Sequence, residues 1–329
     1  MSGKIGSKDF GVLLVDGYDF LSAKLQAFTH KVAAGMTRSD GLGDSIETMT
    51  PTGLSTLTVT QAGAFFDDTT NGIHSLLSTV ANLAVSRLLV AAFAGNTIGK
   101  PFLGCSGVYG HTYEVLGTVG ALTKANVIYD VSGTIDRGAI VQNQTAKTID
   151  WNTKTDGASV DYVSDTSQRV IPIASASKAN PCVVTTSVEH GFTTGQIVYV
   201  VGGTLAGLDN GELVATVLTT TSFSVPLNTI GDPGSGTGGW VLRSSTVNGG
   251  VGYQMISALS GFTGFVGKIR HSADDSTYAT LITFTNVTSA PAKERVVVAA
   301  GTTVNRYLCF DGDVTGSGAI TPFAGFSRG

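Results

Sequence analysis

The sequence is poor in charge: only 13% of its 329 residues are Asp, Glu, Lys or Arg, about half the usual share of a globular domain. The 20 basic and 24 acidic side chains leave a net charge of −4. They divide as ten and eleven in residues 1–148 and ten and thirteen in 149–329, so neither half is basic. A surface that grips nucleic acid through its phosphates carries a cationic stripe. This chain suits letting a duplex pass better than holding it. Cysteine is scarce too. Cys105, Cys182 and Cys309 are odd in number and far apart, which gives no disulfide framework and no metal-type spacing and leaves small buried hydrophobes. Long apolar runs are missing. The most apolar window, Leu76–Ala94, is interrupted by Asn82 and Arg87, so it falls short of a membrane span, and Met1–Phe10 lacks the apolar core of a signal peptide. The expectation is a soluble protein made in a reducing cytoplasm, with no membrane anchor.

What the chain has is β-branched residues and glycine. Hydrophobic residues make up 42%, enough for a core, and 43 glycines stand without period between short Thr- and Val-rich runs. That pattern points to a mainly β chain with many turns. The stretch Gly41–Asp67 is central. Leu57 and Val59 alternate with Thr56, Thr58 and Thr60, the period of a strand with one buried face. Its hydroxyl-rich, uncharged second face suits contact with another subunit or a water-filled channel. In Lys124–Thr134, Val127, Tyr129 and Val131 share one face, and Ile128, Asp130 and Ser132 the other. An inter-subunit sheet is therefore expected to involve Leu54, Thr56, Thr58, Thr60, Ile128, Asp130 and Ser132. Unpaired strand edges are templates for another copy, and a ring of copies closes such edges into a barrel.

Elsewhere, Val12–Val15 reads as a short strand ending at Asp16-Gly17, Leu21–Lys31 as helix-like or irregular, and Thr37–Ser45 as an exposed loop. Ile73, Leu76, Leu77, Val80 and Leu83 recur at helical spacing, which predicts one helix over Asn71–Val85, capped from Asp67–Asn71, covering a sheet. Arg87–Ala94, Phe102–Leu116, Lys124–Thr134 and Ile135–Gln142 read as strands. Polar Thr145–Gln168, anchored only by Trp151, suggests a boundary near residue 148. Val170–Arg243 has strand candidates at Cys182–Thr186, Ile197–Val201, Leu213–Leu218 and Ser222–Val225 and reads as a small β module inserted into the following domain. Asn248–Gly329 offers six evenly spaced strands, Val251–Leu259, Phe265–His271, Thr280–Thr285, Arg295–Val298, Asn305–Asp311 and Ile320–Phe326, a sandwich or jelly-roll pattern. Three units result: 1–148; 149–169 with 244–329, a β-sandwich; and the module 170–243.

Candidate chemistry is thin. Gly234-x-Gly236-x-x-Gly239 matches a dinucleotide fingerprint by letters, but strand-like Trp240-Val-Leu242 follows where a helix is required. The five histidines never fall at ligand spacing with one another or with cysteine, and His190 reads as a solvated turn residue. Asp67-Asp68 and Asp274-Asp275 lack the alternate ligands of a calcium loop and read as a helix cap and a hairpin turn. No nucleophile elbow is present. No catalytic residue, metal ligand or cofactor site is expected, and an enzyme is poorly supported. A hydrolase acting on a host envelope would need a carboxylate pair in a cleft, which the spacing does not offer.

Several short motifs together resemble the major tail (tail tube) proteins of long-tailed bacteriophages. They are Gly17-Tyr-Asp-Phe-Leu21, Gly41-Leu-Gly-Asp44, Thr50-Pro-Thr-Gly53, Gly63-Ala-Phe-Phe-Asp67, Lys124-Ala-Asn-Val-Ile-Tyr-Asp-Val-Ser-Gly133, Gly138-Ala-Ile-Val-Gln142, Gly249-Gly-Val-Gly-Tyr253, Arg270-His-Ser-Ala-Asp274 and Asn305-Arg-Tyr307. The segment with His190-Gly-Phe-Thr-Thr-Gly-Gln196 is similar to a small β module inserted in many phage tail proteins. The resemblance implies a tube-forming β-sandwich with one flanking helix in 1–148 and an outer domain beyond it. It implies hexameric rings stacked into a tube, with the tape-measure protein and genomic DNA in the lumen and tail terminator and distal tail proteins at the ends. The location would be the virion tail, and no catalytic residues are implied. Two other readings stand beside it: the hydrolase, and an adhesin or head-decoration protein holding host glycans through Phe262, Phe265 or Tyr278 in its C-terminal part.

Overall fold

The computed structural model describes residues 11–19, 27–38, 49–65, 73–78, 84–156, 158–162, 170–205, 207–209 and 211–329. The chain is almost entirely β. In order the strands are β1 (Val12–Val15), β2 (Tyr18–Asp19), β3 (Ala27–Arg38), β4 (Met49–Phe65), β5 (Arg87–Ala92), β6 (Pro101–Leu116), β7 (Lys124–Val131), β8 (Ile135–Gln142), β9 (Trp151–Asn152) and β10 (Val160–Asp161). There follow β11 (Ile171–Ala176), β12 (Cys182–Thr186), β13 (Ile197–Val201), β14 (Glu212–Val214), β15 (Thr216–Thr219), β16 (Ser222–Val225) and β17 (Trp240–Arg243). The last four are β18 (Gly250–Ser272), β19 (Ala279–Thr283), β20 (Ala292–Val298) and β21 (Tyr307–Arg328). Helix α1 is Ile73–Leu77. The longer helix expected over Asn71–Val85 is seen only as this turn and a half, with residues 71–72 and 79–83 outside the described residues, as are the caps Asp67–Asn71 and the loop 39–45.

One hydrogen-bonded sheet joins β19-β18-β21-β8-β6-β5-β1-β2, with β4 and β3 attached through β7 to β6. Its spine is the antiparallel pair β18–β21, running from Gly250 opposite Arg328 to Ser272 opposite Tyr307. At about 3.3 Å per residue such a ribbon is roughly 70 Å long. The expected separate strands Val251–Leu259 and Phe265–His271, and Asn305–Asp311 and Ile320–Phe326, are therefore two continuous strands, not four of a jelly roll. Register shifts between Ile256 and Ala258 and between Ser260 and Gly264 are what broke the alternation in the sequence, since a bulge swaps the faces of all later residues.

No break falls at residue 148. Lys147 bridges Ile320, Trp151 pairs with Gly312, and β8 pairs with β21 from Ala139 to Gln142. Both faces of the short strands are covered. Leu13, Val15, Leu89 and Ala91 enter one core with Leu103, Val127 and Tyr129. Val12, Leu14, Val90 and Ala92 enter another with Phe102, Ile140, Tyr253, Met255 and Phe323. Alternate residues of β1 and β5 thus belong to different cores, which explains their continuous apolar reading. The second core joins strands from either side of 148. Trp151 anchors a third core, stacked on Phe265 at 5.5 Å, among Phe262, Ile269, Phe310 and Ile320.

Two polar clusters tie early strands to late ones. Arg87 donates to Asp16 Oδ2 at 3.0 Å, and Lys293 Nζ donates to Asp16 Oδ1 at 2.6 Å. Arg295 donates to Asp136 Oδ2 at 3.0 Å, beside the Tyr253 hydroxyl that donates to the same oxygen. Burial and that carboxylate push the Tyr253 phenol above its usual range.

Residues 171–243 form their own seven-stranded sheet, order β14-β13-β17-β11-β12-β16-β15. Their core holds Ile171, Val184, Phe192, Val200, Phe223 and Val241. The expected strand Leu213–Leu218 is two, β14 and β15, either side of buried Ala215. Arg306 fixes the module to the body: it bonds Asp161 at 2.7 and 2.9 Å and Glu212 at 3.0 Å, and its guanidinium lies 4.7 Å from the Tyr199 ring.

Candidate inter-subunit sheet

The strands β3, β4, β7 and β6 form a four-stranded antiparallel patch. Thr58 stands between Lys31 and Asp130, and Thr60 between Thr29 and Ile128. Asp130 in turn faces Tyr109, and Ile128 faces Thr112. This corrects the sequence expectation. Thr58, Thr60, Ile128 and Asp130 have strand partners on both sides within one chain, so their backbones are not free to build a ladder to a neighbour. Ser132 lies just past β7, where its amide donates to the Gly107 carbonyl at 2.9 Å and its hydroxyl to the same oxygen at 3.2 Å. Thr56 pairs with Ala33, and Leu54 falls in the irregular stretch of the same β3–β4 pairing.

The open edges lie one strand further out. Among the described residues β3 has no partner beyond β4. On its side away from β7, β6 meets β5 only as far as Val108, so among the described residues Tyr109–Leu116 is unpaired there, while β8 lies on the β7 side and pairs with Pro101–Cys105. The sequence did not mark β3 as an edge because Ala27–Arg38 mixes alanine with polar residues and lacks clean alternation. Nor did it mark the far half of β6, whose hydrophobic start reads as ordinary core.

The two faces of the patch differ. One packs on Val59, Val127, Tyr129 and Leu77 of α1. The other is uncovered among the described residues and presents Thr58, Thr60, Ile128 and Asp130, as their alternation predicted, together with Lys31, Lys124 and Glu114. Among the described residues its charges balance, two of each sign. His111 Nδ1 lies 2.8 Å from Asp130 Oδ2, and Thr58 Oγ1 donates to Asp130 Oδ1 at 3.4 Å. Tyr109, His111 and Glu114 on this face were missed, because a bulge between Gly110 and Thr112 breaks the alternation of β6.

The remaining candidates resolve locally. His190 is 2% exposed, not solvated: it accepts from the Phe192 amide at 2.9 Å and stacks on the Phe192 ring at 4.8 Å. Asp274 accepts from the amides of Ser276 and Thr277, bonds that hold its carboxyl far below the usual range and make it a turn residue. Phe262 and Phe265 are core residues. Gly239 leads into β17, not a helix. An open cleft of about 550 Å³ is lined by Lys147, Asp150, Trp151, Asp156 and Asp311. Among the described residues no three His, Cys, Asp or Glu side chains converge as a metal site, and no helix is long and apolar enough to cross a membrane.

No family model and no curated protein matches the sequence. Two solved structures are similar in part. One chain of the "Virion of native gene transfer agent (GTA) particle" is 11% identical at a TM-score of 0.31, over 40% of this chain and 97% of that one. One chain of the "Tail of empty GTA particle computed with helical refinement, C6 symmetry" is 10% identical at 0.29, with the same coverage. Superpositions this loose do not fix fold or role.

Proposed function

We propose that the chain is a structural virion protein, the subunit of a bacteriophage tail tube, which assembles into hexameric rings stacked as a conduit for DNA, with no enzymatic role. The reading is supported by the motif resemblance and carried by one observation: among the described residues the four-stranded patch ends in two strands with an open side, β3 and the Tyr109–Leu116 half of β6. The strands alternate in direction from β3 through β4 and β7 to β6, so β3 and β6 run antiparallel. A rotation about an axis along the sheet lays β3 of one copy beside β6 of the next and continues the antiparallel order.

With four strands per copy, six copies give 24 strands. At about 4.8 Å between strands and a tilt near 40°, the barrel diameter is roughly 48 Å. Subtracting side chains leaves a lumen wide enough for a duplex. The uncovered face would line it, and its hydroxyls and balanced charge would let phosphate slide without holding it. The tape-measure protein would share that lumen, and tail terminator and distal tail proteins would close the ends.

Paired proline substitutions test the edge. Neighbouring residues of a strand point their N–H groups to opposite sides, so of Lys31→Pro and Val32→Pro one cuts the internal ladder and the other the free edge. One variant should be destabilised by about 3 kcal/mol. The other should fold and stay monomeric where wild type forms rings by electron microscopy. Rings from both variants would refute the edge assignment.

A further inference from the structure

The small module and the body are separate sheets, and among the described residues no strand of one pairs with a strand of the other. The backbone that leaves the module is bonded to each in turn. The Ser244 and Ser245 amides donate to the Ile197 carbonyl at 2.9 and 3.3 Å, and the Ser245 carbonyl accepts from the Gln196 side chain at 3.0 Å. One residue later, the Thr246 amide donates to the Val304 carbonyl at 3.1 Å, and the Thr246 carbonyl accepts from the Val304 amide at 2.8 Å. Residues 244 and 245 therefore belong to the module and residue 246 to the body. The change of partner falls on the single step Ser245–Thr246. The incoming crossing, residues 163–169, lies outside the described residues.

Two local features oppose each other at this joint. Thr246 is 2% exposed, and among the described residues its hydroxyl has no hydrogen-bond partner. A buried, unpartnered hydroxyl disfavours the arrangement that buries it, and parting at this step gives it water. Arg306 pulls the other way. Its guanidinium is held on the body by Asp161, at 2.7 and 2.9 Å, and lies 4.8 Å from the Tyr307 ring. Toward the module it reaches Glu212 at 3.0 Å and the Tyr199 ring at 4.7 Å. Glu212 also accepts from the Ser244 hydroxyl, which ties it to the module side of the step. The Arg306 and Glu212 side chains keep 14% and 32% of their surface in water. Ion pairs and cation–π contacts that are partly open to water each bias an equilibrium by less than about tenfold. That is enough to favour one position and too little to lock it.

We infer that the module is hinged at Ser245–Thr246 and that Arg306 is the clasp that holds it closed. Opening leaves the guanidinium on Asp161, releases Glu212 and Tyr199, and hydrates the Thr246 hydroxyl. It also uncovers the Tyr199 ring. Val201, Trp240 and Pro172 share that face of the module, and Trp240 is already 49% exposed. The closed position thus shortens an apolar stripe that the open position extends. Hinge and clasp belong to one chain and need no neighbouring copy.

Thr220→Cys on the module and Ala300→Cys on the body, both exposed positions, carry nitroxide labels on the full chain. The native Cys105, Cys182 and Cys309 are buried. The label separation is read by pulsed electron paramagnetic resonance on dilute protein at about 0.1 M and about 1 M salt, between which the screening length falls from about 10 to about 3 Å. The expected result is one main distance at the lower salt and a second, displaced population that grows by about threefold or more at the higher. Glu212→Gln should raise that population by about threefold to tenfold at the lower salt, with Arg306→Lys in its place should Glu212→Gln misfold by circular dichroism. Thr246→Val should act in the opposite direction and lower it at the higher salt. A single unchanged distance in wild type at both salts and in the folded clasp variant would overturn the hinge. Two positions that the clasp variant leaves unshifted would overturn Arg306 as the clasp. Opening that Thr246→Val does not reduce would overturn Ser245–Thr246 as the pivot.

Discussion

Replacing Gln61 with methionine should stabilise the protomer. Gln61 of β4 has no exposed surface, and among the described residues neither its amide oxygen nor its nitrogen has a hydrogen-bond partner. It lies opposite Val127, one step diagonally from Tyr129 on the same face, and the Tyr129 hydroxyl is also unpartnered. Burial pushes that phenol far above its usual range. An unsatisfied buried polar group costs about 1–3 kcal/mol. Methionine has nearly the same length and no such cost, so Gln61→Met should gain about that much, against a total stability of roughly 5–15 kcal/mol. Urea unfolding of dilute monomer, followed by tryptophan fluorescence, should show a midpoint raised by about 0.3–1 M at a slope of about 3 kcal/mol/M, with that slope unchanged. Tyr129→Phe should behave similarly. A loss of about 1 kcal/mol or more for Gln61→Met would refute the reasoning, because it would mean the amide is satisfied. A double variant less perturbed than the sum of the single ones would then identify a water shared with Tyr129.

Three further outcomes follow from local geometry. A Cβ at Gly312 would lie 2.5 Å from the Trp151 indole, which is held between Phe265 and the Lys147 ammonium; Gly312→Ala should cost about 1–3 kcal/mol and shift tryptophan emission. Burial raises the Cys105 and Cys309 thiols to about 12 and raises Cys182 as well, so Ellman's reagent at pH 8 should label no thiol in the native protein and all three after unfolding. His271 is held below its usual pKa, chiefly by burial and then by Arg328, and its Nδ1 accepts from the Asn305 amide. The folded state then binds this proton less readily than the unfolded chain, so its contribution is complete above about pH 6.5 and declines as pH falls through the lowered folded value. His271→Gln should flatten unfolding midpoints between pH 7 and 5, and an unchanged pH slope would count against it.

The sequence was legible wherever one face of a strand met water. Alternation at Thr56–Thr60 and Val127–Val131 identified both the strands and their faces, and Cys182–Thr186, Ile197–Val201 and Ser222–Val225 fall on their observed bounds. It was illegible where bulges or two-sided burial intervened. The shifts near Ala258 and Phe262 made one strand look like two, and the register slip after Gly110 hid His111 and Glu114. Which strand is an edge depends on pairing between distant segments, and local periodicity carries no trace of it. Thr58 and Asp130 therefore had the right face and the wrong edge.

Hydrogen–deuterium exchange on assembled particles and on dilute monomer tests the central claim most directly. Backbone amides of residues 28–34 and 109–116 that point away from their in-chain partners should exchange freely in the monomer and become protected on assembly. If they exchange equally fast in both states while another edge gains protection, β3 and β6 do not join neighbouring copies.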